Sequence, residues 1–207
     1  MKNKLFLCSL LIGSASVAHA QAPSFGLKAG ASLTNVTGDG VGSGTKNLFG
    51  FHGGLVANFA FSDAFSIQPE VLYSMKGVKT ESIALGSSAT LTYTSRLHYI
   101  DVPVLARVNA GGLFFELGPQ VGFLVAAKQK QELSGGTAAG TYNQDIKDRV
   151  RTVDFGYAAG LGYQLSNGPG IGLRYNGGFI DTKNPSNSSS VRNSAFQLYV
   201  SYMFGGK

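Results

Sequence analysis

An all-β fold, an eight-stranded antiparallel up-and-down transmembrane β-barrel, is predicted by three features of the chain. The first is a period-2 alternation, clearest at the end, where Phe196, Leu198, Val200, Tyr202 and Phe204 fall on one face and Gln197, Tyr199, Ser201 and Met203 on the other. Successive strand side chains point to opposite faces, so such a segment can turn one side to lipid and the other to a mixed interior. The second feature is that similar segments recur eight times with connections that alternate between short and long. The third is an export signal at the N-terminus.

That signal is built from Lys2 and Lys4, an apolar stretch from Leu5 to Ile12, and an A-x-A cleavage site at Ala18-His19-Ala20. The apolar stretch is shorter than the about 20 residues a membrane-spanning helix needs. The expected organisation is therefore a cleaved signal peptide over residues 1–20 and one barrel domain over residues 21–207. The single cysteine, Cys8, leaves with the signal, so neither a disulfide nor thiol chemistry is expected. Leu5-Phe6-Leu7 lacks the small residue that precedes a lipidated cysteine, which argues against a lipoprotein anchor.

The strands follow in order. Ser24–Leu33 aligns Phe25, Leu27, Ala29, Ala31 and Leu33, with Lys28 opposite, and a Gly-rich loop leads on. Leu48–Ala60 aligns Phe49, Phe51, Leu55, Ala57 and Phe59, and turns tightly at Ser62-Asp63-Ala64. Phe65–Val78 sets Ile67, Val71, Tyr73 and Met75 against Gln68, Glu70 and Lys76. After a polar loop, Leu91–Val108 sets Ile100, Val102, Val104 and Ala106 against Asp101 and Arg107, and turns at Asn109 to Gly112. Leu113–Lys128 sets Phe115, Leu117, Val121, Phe123 and Val125 against Glu116, Gln120 and Lys128. A long loop over Gln129–Val150 precedes Arg151–Gln164, which aligns Val153, Phe155, Tyr157, Leu161 and Tyr163. Ser166-Asn167-Gly168-Pro169 is the third tight turn, Ile171–Phe179 turns Leu173 and Tyr175 outward and Arg174 and Asn176 inward, and a Ser/Asn-rich loop reaches the last strand. Three short turns and four longer loops suit eight strands with periplasmic turns and extracellular loops.

Composition agrees with this reading. Glycine is abundant at 29 residues, tryptophan is absent, and hydropathy is near zero, as when half of each strand meets lipid and half meets polar groups. The formal net charge of +6 fits soluble loops and contact with anionic lipid headgroups, and no basic cluster with interleaved aromatics points to nucleic acid. An interior of eight strands is about wide enough for side chains to fill it, which argues against a general-diffusion pore.

The polar face carries Lys28, His52, Glu70, Lys76, Asp101, Arg107, Glu116, Asp154 and Arg174. An arginine facing lipid near the midplane costs about 2–4 kcal/mol, so Arg107 and Arg174 belong inside. Glu70, Asp101 and Glu116 are their expected partners, because unpaired buried charges are costly. The expected role of the nine is structural, a salt-bridged filling of the lumen. Pro103 and Pro119 interrupt strand patterns and predict a bulge or bend. His52 is expected in the lumen network and His98 on the outward face, and two histidines without a third ligand make a weak metal site.

Catalytic signatures are missing: there is no G-x-S-x-G, H-E-x-x-H or phosphate-binding loop. No catalytic, cofactor or metal residue is expected. Gly38-Asp39-Gly40-Val41-Gly42-Ser43-Gly44 reads as an exposed loop, and the sequons at Asn35-Val36-Thr37 and Asn187-Ser188-Ser189 carry little meaning in a bacterial envelope protein.

Three segments, Ser66-Ile67-Gln68-Pro69-Glu70-Val71-Leu72-Tyr73-Ser74-Met75-Lys76-Gly77, Tyr99-Ile100-Asp101-Val102-Pro103-Val104-Leu105 and Phe115-Glu116-Leu117-Gly118-Pro119-Gln120-Val121-Gly122, resemble the PorT-like outer-membrane β-barrel family in order and spacing. The resemblance implies a barrel of eight strands in a Gram-negative outer membrane. Some members of that family are linked to a protein-secretion apparatus; the matching positions here are strand positions and carry no site. The resemblance and the terminal aromatic also imply that Tyr202 and Phe204 belong to the signal read by the outer-membrane insertion machinery.

The expected function is a structural or interaction barrel acting through its extracellular loops. Its expected partners are outer-membrane lipid, lipopolysaccharide, the insertion machinery and an envelope protein. The alternatives are a secretion component, a lipid-modifying enzyme in which His52 or His98 meets a loop serine, and a soluble lipocalin-like binder with its apolar faces inside.

Overall fold

In the computed structural model, the described residues are 22–39, 41–42, 44–84, 89–135, 139–182 and 190–204. The expected signal peptide at residues 1–20, the sequon at Asn187-Ser188-Ser189, two residues of the Gly38–Gly44 loop and the terminal Gly205-Gly206-Lys207 lie outside them. Among the described residues nine strands form: β1 Ser24–Thr37, β2 Thr45–Ala60, β3 Phe65–Ala84, β4 Thr90–Ala110, β5 Leu113–Ser134, β6 Gly140–Asp145, β7 Val153–Gln164, β8 Pro169–Gly178 and β9 Arg192–Phe204. Eight of them make a ring in the order β1, β2, β3, β4, β5, β7, β8, β9, each antiparallel to its neighbours. The ring closes through β1 and β9, in register from Phe25 opposite Phe204 to Thr37 opposite Arg192. No sheet edge is left along the ring, the condition hydrocarbon imposes on a spanning backbone.

The alternation sorts side chains as a membrane barrel requires. Phe49, Leu55, Phe115, Leu117, Leu173, Phe196 and Val200 are each more than half exposed on the outer wall. Such a continuous apolar surface would be a gross defect in water, and in lipid it is matched to its solvent. A lipocalin-like arrangement, apolar inside and polar outside, is thereby excluded.

Three details differ from the sequence-based expectation. The ring strands run beyond their predicted ends on the loop side; β5 continues from Lys128 to Ser134. The segment Gln129–Val150, expected as a loop, contains β6, which pairs with β5 over Lys128–Leu133, above the level where β7 takes over at Leu113–Phe123. Only Tyr142 in β6 is large and apolar, so backbone pairing rather than face burial makes this strand. Pro103 and Pro119, finally, carry no bulge. The ladders skip a step beside each proline, between Pro103/Gln120 and Ala106/Leu117, yet the register is the same on both sides. A missing N–H explains the skipped step without an extra residue. Gly118 assists, because a Cβ there would lie 2.0 Å from the Val104 carbonyl oxygen. The irregularities fall elsewhere, between Asn47 and His52, Thr80 and Ile83, and His98 and Tyr99.

The short turns share one end of the barrel. Gly111 and Gly112, at φ 60° and 91°, make the β4–β5 turn in a region that side chains avoid. At the other end, Leu97, Tyr99, Leu124 and Ala127 are met by Ile146, whose N–H donates to the Ala127 carbonyl at 3.0 Å. The chain after β6 thus folds inward and lays an apolar cap over the lumen.

Leu198, halfway along β9 and half exposed on the outer wall, gives a direct test of lipid contact. Leu198→Arg is expected to lower folding stability in phospholipid vesicles by about 2–4 kcal/mol, read from the urea midpoint of the heat-modifiable band. A midpoint equal to that of the parent would mean that this face does not meet hydrocarbon.

Candidate functional site

Every one of Lys28, His52, Glu70, Lys76, Asp101, Arg107, Glu116, Asp154 and Arg174 lies buried inside the ring. Each comes from a strand position of inward parity, and six of the eight ring strands contribute a charge: β1, β3, β4, β5, β7 and β8. Lys28, Lys76, Arg107 and Arg174 face Glu70, Asp101, Glu116 and Asp154, so these interior charges balance.

The charges divide into three levels. At mid-height Arg174 binds Glu70 with two donors, Nη1 to Oε2 at 2.7 Å and Nη2 to Oε1 at 2.9 Å, while its Nε donates to Glu116 Oε1 at 2.7 Å. Lys28 Nζ donates to Glu70 Oε1 at 2.5 Å and stands 4.0 Å from the centre of the Tyr199 ring. The Tyr199 hydroxyl donates to Glu116 Oε1 at 2.9 Å and Gln68 Nε2 to Glu70 Oε1 at 2.8 Å. This planar, bidentate recognition of carboxylates is what a guanidinium does better than an ammonium.

Nearer the loops, Lys76 Nζ is 2.9 Å from Asp101 and 3.7 Å from Asp154, and Asn193 Nδ2 donates to Asp154 at 2.8 Å. A void of about 10 Å³, the size of one water, lies among Lys76, Gln120, Asp154, Asn176 and Asn193. Nearer the turns, Arg107 departs from expectation. Its acceptors are amide oxygens, Gln68 at 3.0 Å, Asn109 at 3.0 Å and Gln164 at 3.5 Å, and its guanidinium lies 3.7 Å over the Phe114 ring. Asp101, one of its expected partners, is taken by Lys76 instead. Asp101 lies toward the loops along β4, within reach of the Lys76 side chain on β3, while Arg107 sits near the turns opposite Ser66. A vestibule of about 550 Å³ opens at the turn end and has Arg107, Asn58, Asn109 and Gln164 in its lining.

His52 is buried, with Nδ1 2.9 Å from the Ser32 hydroxyl and its ring edge-on to Tyr199; it lines neither cavity. His98 lies outward, its Nδ1 2.6 Å from the Tyr73 hydroxyl. The two histidines are on opposite sides of the wall and do not converge. Among the described residues no group of three or more His, Cys, Asp or Glu could hold a metal ion. Tyr202 and Phe204 both face outward, their rings 5.3 Å apart and edge-to-face.

Tyr199, Asn193 and Phe114 complete the interior and are not among the residues that the sequence pattern singles out. A signal exists for Tyr199, which falls on the inward parity of the last strand. A pattern of formal charges does not mark its hydroxyl.

The family model for the outer membrane protein beta-barrel domain matches residues 19–184. No curated protein matches the chain. Among solved structures the chain is similar to Ail, the attachment invasion locus protein of Yersinia pestis, crystallised in complex with the heparin analogue sucrose octasulfate: 16% identity, 88% of this chain and 99% of that one covered, TM-score 0.47. It is similar also to Neisserial surface protein A, at 13% identity over 89% and 100% with a TM-score of 0.47. The outer membrane protease OmpT of Escherichia coli follows at 9% identity over 88% and 93%, with a TM-score of 0.38.

The mid-height cluster yields a stability prediction. Arg174→Met leaves Glu70 and Glu116 short of a buried partner and is expected to cost about 3–5 kcal/mol in urea unfolding from vesicles. Adding Glu70→Gln should recover some of that loss. A single variant as stable as the parent would mean that the cluster does not hold the barrel together.

Proposed function

The chain belongs to the outer membrane protein beta-barrel domain family, and on that premise we propose a non-conducting barrel that works through its loop-end surface as a structural or interaction protein of the outer membrane. The observation that carries this reading is the filled lumen. From the turns upward stand Arg107 on Phe114, the Lys28–Glu70–Arg174–Glu116 cluster, the Lys76–Asp101–Asp154 cluster and the apolar cap under Ile146. A hydrated ion passing through would have to break both levels of buried ion pairs and then displace Leu97, Tyr99 and Ile146.

Residues 1–20, in this proposal, act as a cleaved export signal, as their charged, apolar and A-x-A regions suggest. The nine lumen residues have a structural role. Assignment to the PorT-like group rests on the three segments that resemble it, and Tyr202 and Phe204 serve the insertion machinery. The protein has no catalytic activity, a reading supported by the separation of His52 from His98 and by the enclosure of His52 beside Ser32. Its lipid neighbours are outer-membrane lipid and lipopolysaccharide, with an envelope protein as partner at the loop end.

Planar-bilayer recording tests the central point. Reconstituted protein is expected to give no steady single-channel current, while a porin control conducts. Large, stable steps that survive removal of contaminating porins would overturn the closed-lumen reading.

A further inference from the structure

The outer wall changes character within one step at the loop end of β3, β4 and β5. Directly opposed residues share a face, so the register sorts the outward side chains into rows. Tyr73, Ile100 and Phe123 make one row, and Met75, His98 and Ala126 the next. Above them come Gly77, Arg96 and Lys128, then Lys79, Thr94 and Lys130. The residues between point inward: Gln129 donates to the Ser95 hydroxyl at 3.3 Å, and Leu97 and Ala127 belong to the lumen cap. Rows two residues apart are separated by about 7 Å. The wall therefore passes from aromatic and aliphatic to cationic over a distance like that between acyl chains and headgroups.

Arg96 and Lys128 are directly opposed and both exposed. Like charges in that relation destabilise a strand pair. Neither has a carboxylate partner of its own among the ion pairs of the described residues: Glu132 is held by Lys130 at 2.7 Å, with Lys79 and Arg96 acting on it from further away. Asp145, opposite Lys128 at the rim, turns its carboxylate to the Lys147 N–H at 2.8 Å. Arg96 and Lys128 both act on His98 below them. A multivalent anion set between the two cations would turn a repulsive pair into a binding site.

We propose that Arg96 and Lys128, flanked by Lys79 and Lys130, bind a phosphate group of the outer-leaflet glycolipid, with its acyl chains against Tyr73, Ile100 and Phe123. The site rests on the outer-membrane reading given above. It supplies the two chemistries of a phosphorylated lipid in the right vertical order, charge above and apolar wall below. The guanidinium offers a planar donor fork and the ammonium a point charge, a combination suited to phosphate oxygens.

The test uses the full barrel folded in detergent micelles, with binding of diphosphorylated lipid A, dephosphorylated lipid A and inorganic phosphate measured by native mass spectrometry. Wild-type protein is expected to retain the diphosphorylated lipid and to lose most of that retention with the dephosphorylated form. Arg96→Gln with Lys128→Gln should weaken it roughly tenfold or more, as two cations at an anionic lipid surface imply, and each single variant by less. Arg192→Gln, outward on β9, should change nothing. Equal binding of the two lipids, or an unaffected double variant, would overturn the site. Inorganic phosphate competing as well as lipid A would show a free-anion site in its place, which also overturns the proposal. Heat-modifiability of each sample is read separately. An unfolded wild type would strike the membrane-barrel reading, whereas a folded barrel with no phosphate-dependent retention would strike this inference alone.

Discussion

A backbone crossing hydrocarbon has no solvent to pair its N–H and C=O groups, and every other feature of this chain answers to that constraint. It requires the first strand to find the last, which here happens across an antiparallel seam with Phe25 opposite Phe204. It also explains why β6 can stand outside the ring. Its pairing with β5 begins at Lys128, level with the first cationic row, where water and headgroups can satisfy an edge. The same solvent sets side-chain placement. Phe, Leu and Val fill the outer wall, while Lys28, Glu70, Lys76, Asp101, Arg107, Glu116, Asp154 and Arg174 are driven inward.

Driving charges inward creates a second problem, since the interior of eight strands is too narrow for bulk water. The chain meets it by balance and by sharing. Arg174 serves two glutamates, Glu70 serves two cations and a glutamine, and Lys76 stands between two aspartates. Removing a single member leaves a charge that nothing nearby can neutralise, so the network acts as one unit. Arg107 shows a milder solution. Amide oxygens and the face of Phe114 accept its charge at the level where the lumen widens into the vestibule.

The ring and its inside are largely readable from the chain because a period of two assigns every residue to a face. Parity alone places Lys28, Glu70, Asp101 and Arg174 in the lumen, and lipid makes that parity unambiguous. Parity does not encode height along the barrel axis, which depends on register between strands far apart in sequence. For that reason Arg107, expected to meet an acid, meets amides, while Lys76, farther toward the loops on the neighbouring strand, takes Asp101. Tyr199 illustrates a different gap. Parity sets it on the inward face, but a pattern of formal charges does not mark its hydroxyl, which closes the bond to Glu116. β6 leaves no pattern to find, since Gly140-Thr141-Tyr142-Asn143-Gln144-Asp145 has no alternating apolar face and is held by backbone bonds. Of the bulge or bend expected at the two prolines, the unchanged register excludes the bulge, because a lost donor does not require an inserted residue.

Closure between β1 and β9 is the central claim, and disulfide trapping measures it directly. Ala29 and Val200 are opposed across that seam on the outward face. In a Cys8→Ser background, Ala29→Cys with Val200→Cys should oxidise rapidly to an intramolecular disulfide in intact membranes, whereas Ala29→Cys with Phe196→Cys, far out of register, should not. Efficient trapping of the first pair and not the second is the expected result. No trapping of Ala29→Cys with Val200→Cys in a protein that still migrates as a folded band would contradict a closed barrel.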